Sequence, residues 1–283
     1  MIEIPPLPPA RGYETTGTAE LFPRYEDITQ DGRFLLTAFM PGLGAAVWRS
    51  LVKHTTTLSA FAAQGILPIL RRLVAIGEEG PFSVHVPLAS QGTWRLAREE
   101  NGERIFLDMW LEAQAAHGST LGPPPPKDTA RVLAGRVYGE HVVTKPFAPK
   151  AERKVTKLNA PGLPEIPEDA HAFLEADALL AGHTLEDAGP IAFGMMHTDS
   201  NQHVNSLVYP RRFEEAVIQH LAPPPGFVAR AFETRWRKPF FAGDRARIGI
   251  AVVARTETRL DVVGAFTPEG ASQPSATIAM TLG

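Results

Sequence analysis

Apolar residues at Leu36, Phe39, Met40, Leu43, Val47 and Leu51 recur every three to four positions, the period of an amphipathic helix. Pro41 and Gly42 predict an irregular start to it. Strand-like runs follow at 66–76, 82–97, 104–115 and 131–144. Within the third, RIFLDMWLEA alternates in part, and its Ile, Phe and Trp suit a sheet. The second half repeats this plan. A short strand is predicted at 191–197. A helix is predicted over 206–221, with Tyr209, Phe213, Ala216, Val217 and His220 or Leu221 on one side. Four strands are predicted at 227–238, 244–255, 259–266 and 273–282, and Ile248, Ile250 and Val252 alternate onto one face of the second of them. The repeat is one of element order; the residues of the two halves are not obviously similar. One long apolar helix beside several antiparallel strands predicts an α+β fold in which a sheet wraps a central helix in each half.

Proline punctuates this pattern. Residues 1–10 contain IPPLPP and read as an extended leader, taken to end at residue 19. GPPPP at 122–126 marks a surface loop, and 223–226 stops the helix before it. NAPGLPEIPE at 159–168 is the best linker between domains. The division expected is therefore 1–19, 20–158, 159–190 and 191–283.

Composition narrows the function classes. The chain has 283 residues and a mass of 30.7 kDa, the length of two domains. With 28 Lys and Arg against 31 Asp and Glu, the net charge is −3, which argues against a dedicated nucleic-acid binder. Having no cysteine, the chain carries no disulfide, Cys-ligated zinc or thiol nucleophile. The start MIEIPPLPPARGYETTG has neither the basic nor the apolar region of a secretory signal. No apolar stretch reaches 18 residues, so no membrane span is expected, and the expected location is the cytoplasm. Neither GxGxxG nor GxxxxGK[ST] occurs, and His85, His141, His171, His183 and His220 lack ligand spacing, so neither cofactor nor metal is expected.

The chemistry concentrates in MMHTDSNQHVNSLVY, residues 195–209. Asp199, Asn201, His203 and Asn205 fall two apart, and Asn205 or Ser206 is placed to cap the helix that follows. A carboxylate and an imidazole are thus held on a tight loop leading into a helix whose first N–H groups are unpaired and carry partial positive charge. Such N–H groups can bind an oxygen that gains negative charge during acyl transfer, while the carboxylate attacks the carbonyl or activates a water. The same residues would also make a polar capping loop without chemistry. In the first half, Asp27 and Asp31 read as caps and as a turn at Asp31-Gly32. Phe39, Met40, Trp48, Trp94 and Trp110 are candidates for the wall of an apolar pocket, or simply core. Arg235, Arg237, Lys238, Arg245 and Arg247 form a basic cluster able to meet phosphates or an acidic partner, or a solvated strand face.

Asp199-Ser200-Asn201-Gln202-His203-Val204-Asn205, with Tyr209 four places on, resembles the D-x-N-Q-H-V-N-x-x-x-Y motif of hotdog-fold acyl-thioesterases. It is most similar to the acyl-acyl-carrier-protein thioesterases of plants and bacteria, which are tandem hotdogs with this motif in the second. The element order fits that plan over about residues 20–283. RVYGEHVVTKPFAPKAERKVTKL resembles the end of the first hotdog, and RWRKPFFAGD the strand and turn after the second helix. The resemblance implies a double hotdog with two antiparallel sheets each wrapped round a helix: the first hotdog over 20–158, the second over 191–283. It implies hydrolysis of an acyl thioester on carrier protein or CoA, without cofactor, by a monomeric pseudo-dimer or a homodimer. Asp199 would be the catalytic carboxylate, with Asn201 and His203 in its network. Asn205, Ser206 and Tyr209 would stand at the oxyanion and substrate site, the N–H at Ser206 polarising the carbonyl. Arg235, Arg237 and Lys238 would face the carrier or the CoA phosphates. The plant enzymes carry an acid and a cysteine on the strand after the helix, where this chain has Arg235, Trp236, Arg237, Lys238 and Pro239. A thiolate mechanism is excluded, and the burden moves to Asp199, as base or nucleophile. Ser206 stands where those enzymes have a second Asn, and His197 where an acid is common. Two other functions fit the same residues: a non-catalytic acyl-thioester or fatty-acid binding protein, and an acyltransferase or chain-release partner of a polyketide or fatty-acid pathway.

Overall fold

A computed structural model describes residues 2–7, 15–53, 56–99, 102–126, 128–158, 166, 170–171 and 174–283. Of the proline-rich stretch 159–168 only residue 166 is described; the rest of that predicted linker, residues 8–14 of the leader and the side chain of His171 lie outside the described residues. The fold is antiparallel sheet with few helices. It divides into two compact units: an N-terminal one of Ile4–Arg71 and Gly77–Phe173, and a C-terminal one of Met1–Glu3, Arg72–Ile76 and Leu174–Gly283.

The strands are β1 Thr16–Leu21, β2 Leu67–Gly77, β3 Leu88–Glu99, β4 Ile105–Ala116, β5 Arg131–Thr144, β6 Ala170–His171, β7 Glu186–Ala192, β8 Ala229–Trp236, β9 Arg245–Arg255, β10 Leu260–Pro268 and β11 Ala276–Leu282. In the N-terminal unit the order is β1-β3-β4-β5-β2. In the C-terminal unit residues 72–76 of β2 pair with β8, and the order continues β8-β11-β10-β9-β7. Each order places the short leading strand at one end and the strand that follows the helix at the other.

The first helical run is as irregular as Pro41 and Gly42 predict. It passes from a 3-10 turn, Leu36–Phe39, through one α-turn and a π stretch, Leu43–Trp48, before regular helix resumes at Arg49–Lys53. It buries Phe39, Leu43, Ala46, Val47 and Leu51, the stripe seen in the sequence. Gly92 on β3 admits this helix: a Cβ there would lie 2.4 Å from the Val47 Cγ2. The second helix, Val208–Leu221, buries Tyr209, Pro210, Phe213, Ala216 and Val217. It ends at Ala222, in the left-handed region (φ +42°), whose N–H bonds to the Ile218 carbonyl, and prolines follow at once. Here Gly264 on β10 plays the part of Gly92, since a Cβ on it would meet the Phe213 ring at 2.3 Å. Burying a large apolar side chain contributes about 1.5–3 kcal/mol, so these two stripes hold each helix on its sheet.

Several elements differ from their sequence reading. The strand expected at 191–197 runs over Glu186–Ala192 instead, and Met195–His197 is a 3-10 turn. Pro190 cannot donate to the ladder, and the pairing with β9 breaks its register between Asp187 and Pro190. β3 begins at Leu88 rather than 82: Phe82 makes an isolated bridge to His117, and a turn over 84–86 followed by Pro87 interrupts the strand. The second helix begins at Val208, after a turn, rather than at 206. β1 carries no apolar signal: TGTAEL alternates between exposed and half-buried positions at the end of its sheet.

Buried charge also lies outside the helical stripes. In the C-terminal unit Glu233, 5% exposed, receives Nε (2.7 Å) and NH2 (3.1 Å) of Arg72 and Nε of Arg235 (2.6 Å). Arg235 NH1 also donates to the Glu175 carbonyl at 3.0 Å. In the N-terminal unit the fully buried Asp108 receives the Tyr138 hydroxyl at 3.0 Å and Arg95 Nε at 3.2 Å. Arg95 lies over the Trp110 ring, whose Nε1–H donates to the Pro5 carbonyl. Among the described residues no helix is long and apolar enough to cross a membrane.

Candidate active site

The motif forms a hairpin between the 3-10 turn Met195–His197 and the second helix. Thr198 pairs with Val204, the Asp199 N–H bonds to the His203 carbonyl (3.2 Å), and the Gln202 N–H closes onto the Asp199 carbonyl (2.9 Å). Gln202 takes a positive φ of +67° at the tip. The turn 240–244 packs along this hairpin: Val204 donates to the Phe240 carbonyl at 2.7 Å, and His203 pairs with Phe241. Phe193, Tyr209 and Phe240 stack beneath it with ring centroids 4.8–6.2 Å apart.

Asp199 is half-buried and held from two sides. Its Oδ1 accepts the Asn201 backbone N–H at 2.9 Å, and its Oδ2 accepts the Asn205 side-chain amide at 3.0 Å. Asn205 is in turn fixed at every polar atom the helix start requires. Its Oδ1 accepts the Leu207 N–H at 2.9 Å, its carbonyl the Val208 N–H at 3.0 Å, and its own N–H donates to the His197 carbonyl at 2.8 Å. Neither Asn205 nor Ser206 caps the helix as the sequence suggests: its N-cap is Leu207, without a side-chain bond, and Asn205 instead closes an Asx turn onto the Leu207 N–H just before it. The Ser206 N–H, between Asn205 and the helix, has no acceptor among the described residues. The result is a carboxylate of fixed orientation beside an unpaired N–H at a helix start, where the peptide dipoles favour negative charge.

The other residues singled out in the sequence are placed as follows. The Asn201 side chain is exposed and reaches Asp199 only through its backbone. His203 is half-buried, with Nδ1 3.4 Å from the Val204 carbonyl; it bonds to Asp199 through its backbone carbonyl and not through its ring. Tyr209 is buried, accepts the Phe240 N–H at 3.4 Å and meets Trp236 and Phe266 edge-on; burial pushes its phenol up to about 12. Arg235 is buried in the Glu233 pair, whereas Arg237 is half-buried on Gln273 and Asp177, and Lys238 is exposed. Arg245 pairs with Glu269 and Arg247 with Asp187. Of the apolar candidates, Phe39, Trp94 and Trp110 are buried, and Met40 and Trp48 half-buried, all in the N-terminal unit.

Sequence reasoning gives His197 no role and passes over Arg212. The His197 Nδ1 accepts the Gly194 N–H at 3.0 Å, and its Nε2 stands 2.9 Å from Arg212 NH2. A local signal exists for the histidine, which stands two residues before Asp199, on the period of the motif itself.

The N-terminal unit contains the same device 170 residues earlier. There the 3-10 turn Tyr25–Asp27 leads to a pairing of Ile28 with Phe34. The bonds recur one for one. Thr29 donates to the Arg33 carbonyl (2.7 Å), Gly32 to that of Thr29 (2.9 Å), and Leu35 to that of Asp27 (2.9 Å). Gly32 has φ +85° where Gln202 has +67°. Chemistry separates the copies. Thr29 stands in place of Asp199, Asp31 of Asn201, Arg33 of His203 and Leu35 of Asn205. The first loop keeps the fold and lacks the carboxylate with its amide partner. Its turn at Asp31-Gly32 is the one read from the sequence.

No protein-family model matches the chain. Its structure is similar to that of an acyl-ACP thioesterase from Bacteroides thetaiotaomicron, with a TM-score of 0.62 and 12% identity over 95% of this chain and 98% of that one. It is also similar to the 12:0-ACP thioesterase from Umbellularia californica, with a TM-score of 0.59 and 12% identity over 95% and 94% of the two chains. The chain thus has the fold of these structures along nearly its whole length. In sequence, a stretch of 118 residues is 29% identical to a crossover junction endodeoxyribonuclease RuvC of Prochlorococcus marinus, covering 41% of this chain and 69% of that protein.

Proposed function

We propose that the protein hydrolyses acyl thioesters carried on CoA or an acyl-carrier protein, through the Asp199 loop of its C-terminal unit. One observation carries this reading: Asp199 is clamped by the Asn201 N–H and the Asn205 amide beside the unpaired N–H of Ser206. A carboxylate and an oxyanion donor on one short turn are the two groups that acyl transfer to water requires. The fold shared with structures of acyl-ACP thioesterases supports it. The nuclease similarity carries less weight, since it spans 41% of the chain against the 95% of the fold likeness.

In the proposed reaction Asp199 takes a proton from water, and the water oxygen bonds to the thioester carbonyl carbon. The carbonyl oxygen becomes an oxyanion held by the Ser206 N–H and the positive end of the helix. Collapse breaks the carbon–sulfur bond, and the departing thiolate receives the proton from Asp199. A free acid and a thiol leave. Asn205 fixes the rotamer of Asp199, and Asn201 and His203 orient the water or the substrate. Tyr209, locked beneath the hairpin, keeps the helix start in place. Arg237 and Lys238 are the cations offered to the phosphates of CoA or carrier; Arg235 would have to leave Glu233 to join them. Under this reading 20–158 and 191–283 are two hotdog repeats, each a sheet wrapped round its helix and joined by 159–190, with the chemistry in the second.

A competing reading is an acyl-thioester binding protein without turnover. It draws on the same clamp, because both oxygens of Asp199 are already hydrogen-bonded. Thiol release from a panel of acyl-CoAs and acyl-carrier proteins, with wild type beside Asp199→Ala, separates the two. Release that disappears in the variant supports the hydrolase. Binding without release in either protein supports the binder. Acyl groups found on an acceptor other than water would instead identify a transferase.

A further inference from the structure

His197 closes the turn that carries Asp199. Its carbonyl holds the Asn205 N–H, and its ring stands between two donors, the Gly194 N–H on Nδ1 (3.0 Å) and Arg212 NH2 at Nε2 (2.9 Å). A neutral imidazole has one acceptor nitrogen and one N–H. When Nδ1 accepts from Gly194, the proton sits on Nε2 and faces the guanidinium. When Nε2 accepts from Arg212, an N–H faces the N–H of Gly194. One contact is a hydrogen bond in either tautomer. An imidazolium makes neither, and it sets a positive charge against Arg212.

The carboxylates around the ring are each held by another donor, so none of them takes the place of the lost contacts. On the helix, Glu215 is taken by Arg212 NH1 at 2.6 Å. On the hairpin, Asp199 is taken by Asn201 and Asn205. On the turn packed against the hairpin, Asp244 is taken by the Phe241 N–H at 2.8 Å. Among the described residues no carboxylate reaches either ring nitrogen.

The N-terminal copy shows the same position held by a carboxylate. There Asp27 stands for His197, and its carboxylate accepts the Arg24 N–H at 2.9 Å, with Arg24 Nε and NH2 at 3.1 and 2.8 Å. One carboxylate satisfies a turn N–H and a guanidinium together. In the C-terminal copy, the one bearing Asp199, this acceptor has become an imidazole, which has one acceptor nitrogen when neutral and none when protonated.

We propose that His197 is a positioning residue that holds the Asp199 loop only while it is neutral. Protonation releases Gly194, repels Arg212 and loosens the turn whose carbonyl holds Asn205, and Asn205 holds Asp199. Protonation of the ring therefore lowers turnover through the loop that carries Asp199. The inference rests on the thioesterase reading for its effect on rate, while the anchor itself can be observed without turnover.

The test compares pH profiles of kcat/KM for wild type, His197→Asp and His197→Asn, and follows the Gly194 amide of the wild type by NMR over the same range. Aspartate offers acceptors to both donors, as Asp27 does, and asparagine offers one acceptor that does not titrate. Wild type is expected to lose about tenfold in kcat/KM per pH unit on its acid limb. Each variant should hold its own neutral-pH rate to lower pH, and the Gly194 shift and hydrogen exchange should move with the wild-type midpoint. Acid limbs that coincide in all three proteins, or a Gly194 amide indifferent to pH, would overturn the proposal. If wild type turns over no thioester, the thioesterase reading fails by itself, and the Gly194 titration still decides whether His197 is the anchor.

Discussion

Gln202 and Gly32 occupy the same left-handed backbone position in two hairpins with the same hydrogen bonds, 170 residues apart. A side chain at positive φ costs roughly 1 kcal/mol that glycine does not. The Gln202 side chain is exposed, and Gln202 bonds through its backbone N–H. Gln202→Gly should therefore raise stability by about 0.5–1 kcal/mol. Chemical denaturation of the two proteins reads this directly. A loss of stability would mean that the glutamine side chain itself holds the hairpin.

That pair also explains what local sequence can and cannot reveal. Across 24–36 and 194–206 no aligned residue is shared, yet the backbone bonds recur, because N–H and C=O groups close the turn whatever side chains they bear. The repeat is therefore invisible as residues and visible as element order. The helical stripes through Val47 and Phe213 are legible because periodicity is local, and β5 falls on its predicted bounds for the same reason. β1 is not legible: its half-exposed TGTAEL needs no apolar alternation at the end of a sheet. Met195 and Met196 suggest strand because they are apolar, and both are exposed on a turn. Asp199, Asn205 and the helix start share one short segment, so the centre of the candidate site can be found by spacing. The union of Arg72 with Glu233 joins residues 161 apart, and no local pattern encodes it.

Asn205 links the candidate chemistry to the fold, so its loss should be felt in both. Asn205→Ala removes the acceptor of the Leu207 N–H and the donor to Asp199 Oδ2 together. Loss of that turn bond should cost about 1 kcal/mol. Turnover should fall as well, by less than the roughly 10²–10⁴-fold expected of Asp199→Asn, which keeps the shape and removes the base. Thiol-release rates and unfolding midpoints measured on both variants separate the roles. Asp199→Asn should lose more rate and less midpoint than Asn205→Ala, since it gives up only the bond from the Asn205 amide. An Asn variant as fast as wild type would remove Asp199 from the chemistry.

Glu233 neutralises the guanidinium of Arg235 at 2.6 Å in a buried position, and that of Arg72 with it. Glu233→Gln keeps the volume and takes this carboxylate away from both cations. Breaking one side of a buried pair costs about 3–5 kcal/mol. Replacing all three residues by apolar ones of similar volume should recover most of that loss, because no buried charge of the group then remains. Denaturant midpoints of the single and triple variants test this. A harmless Glu233→Gln would show that water reaches the guanidinium groups.

His141 predicts an acid-sensitive fold independent of the candidate site. It lies on β5, 8% exposed, with Nδ1 3.2 Å from the Leu107 carbonyl and its ring edge-on to Trp48 at 5.3 Å. Burial pushes its pKa down to about 4, against smaller upward effects of the Leu107 carbonyl and the charge of Asp108. In the unfolded chain the imidazole returns to its ordinary value near 6.5. Between these values the unfolded state binds the proton and the folded state does not, so stability is highest above about pH 6.5 and falls as pH drops toward 4. Below about 4 both states are protonated and the loss stops growing. A depression of this size corresponds to roughly 3 kcal/mol lost across the window. His141→Gln keeps a donor for the Leu107 carbonyl and cannot titrate. Its unfolding midpoint should be lower than that of wild type at pH 7 and should change less between about pH 6.5 and 4, so the two curves converge on acidification. Parallel curves would mean that His141 is protonated in the folded protein as readily as in the unfolded chain.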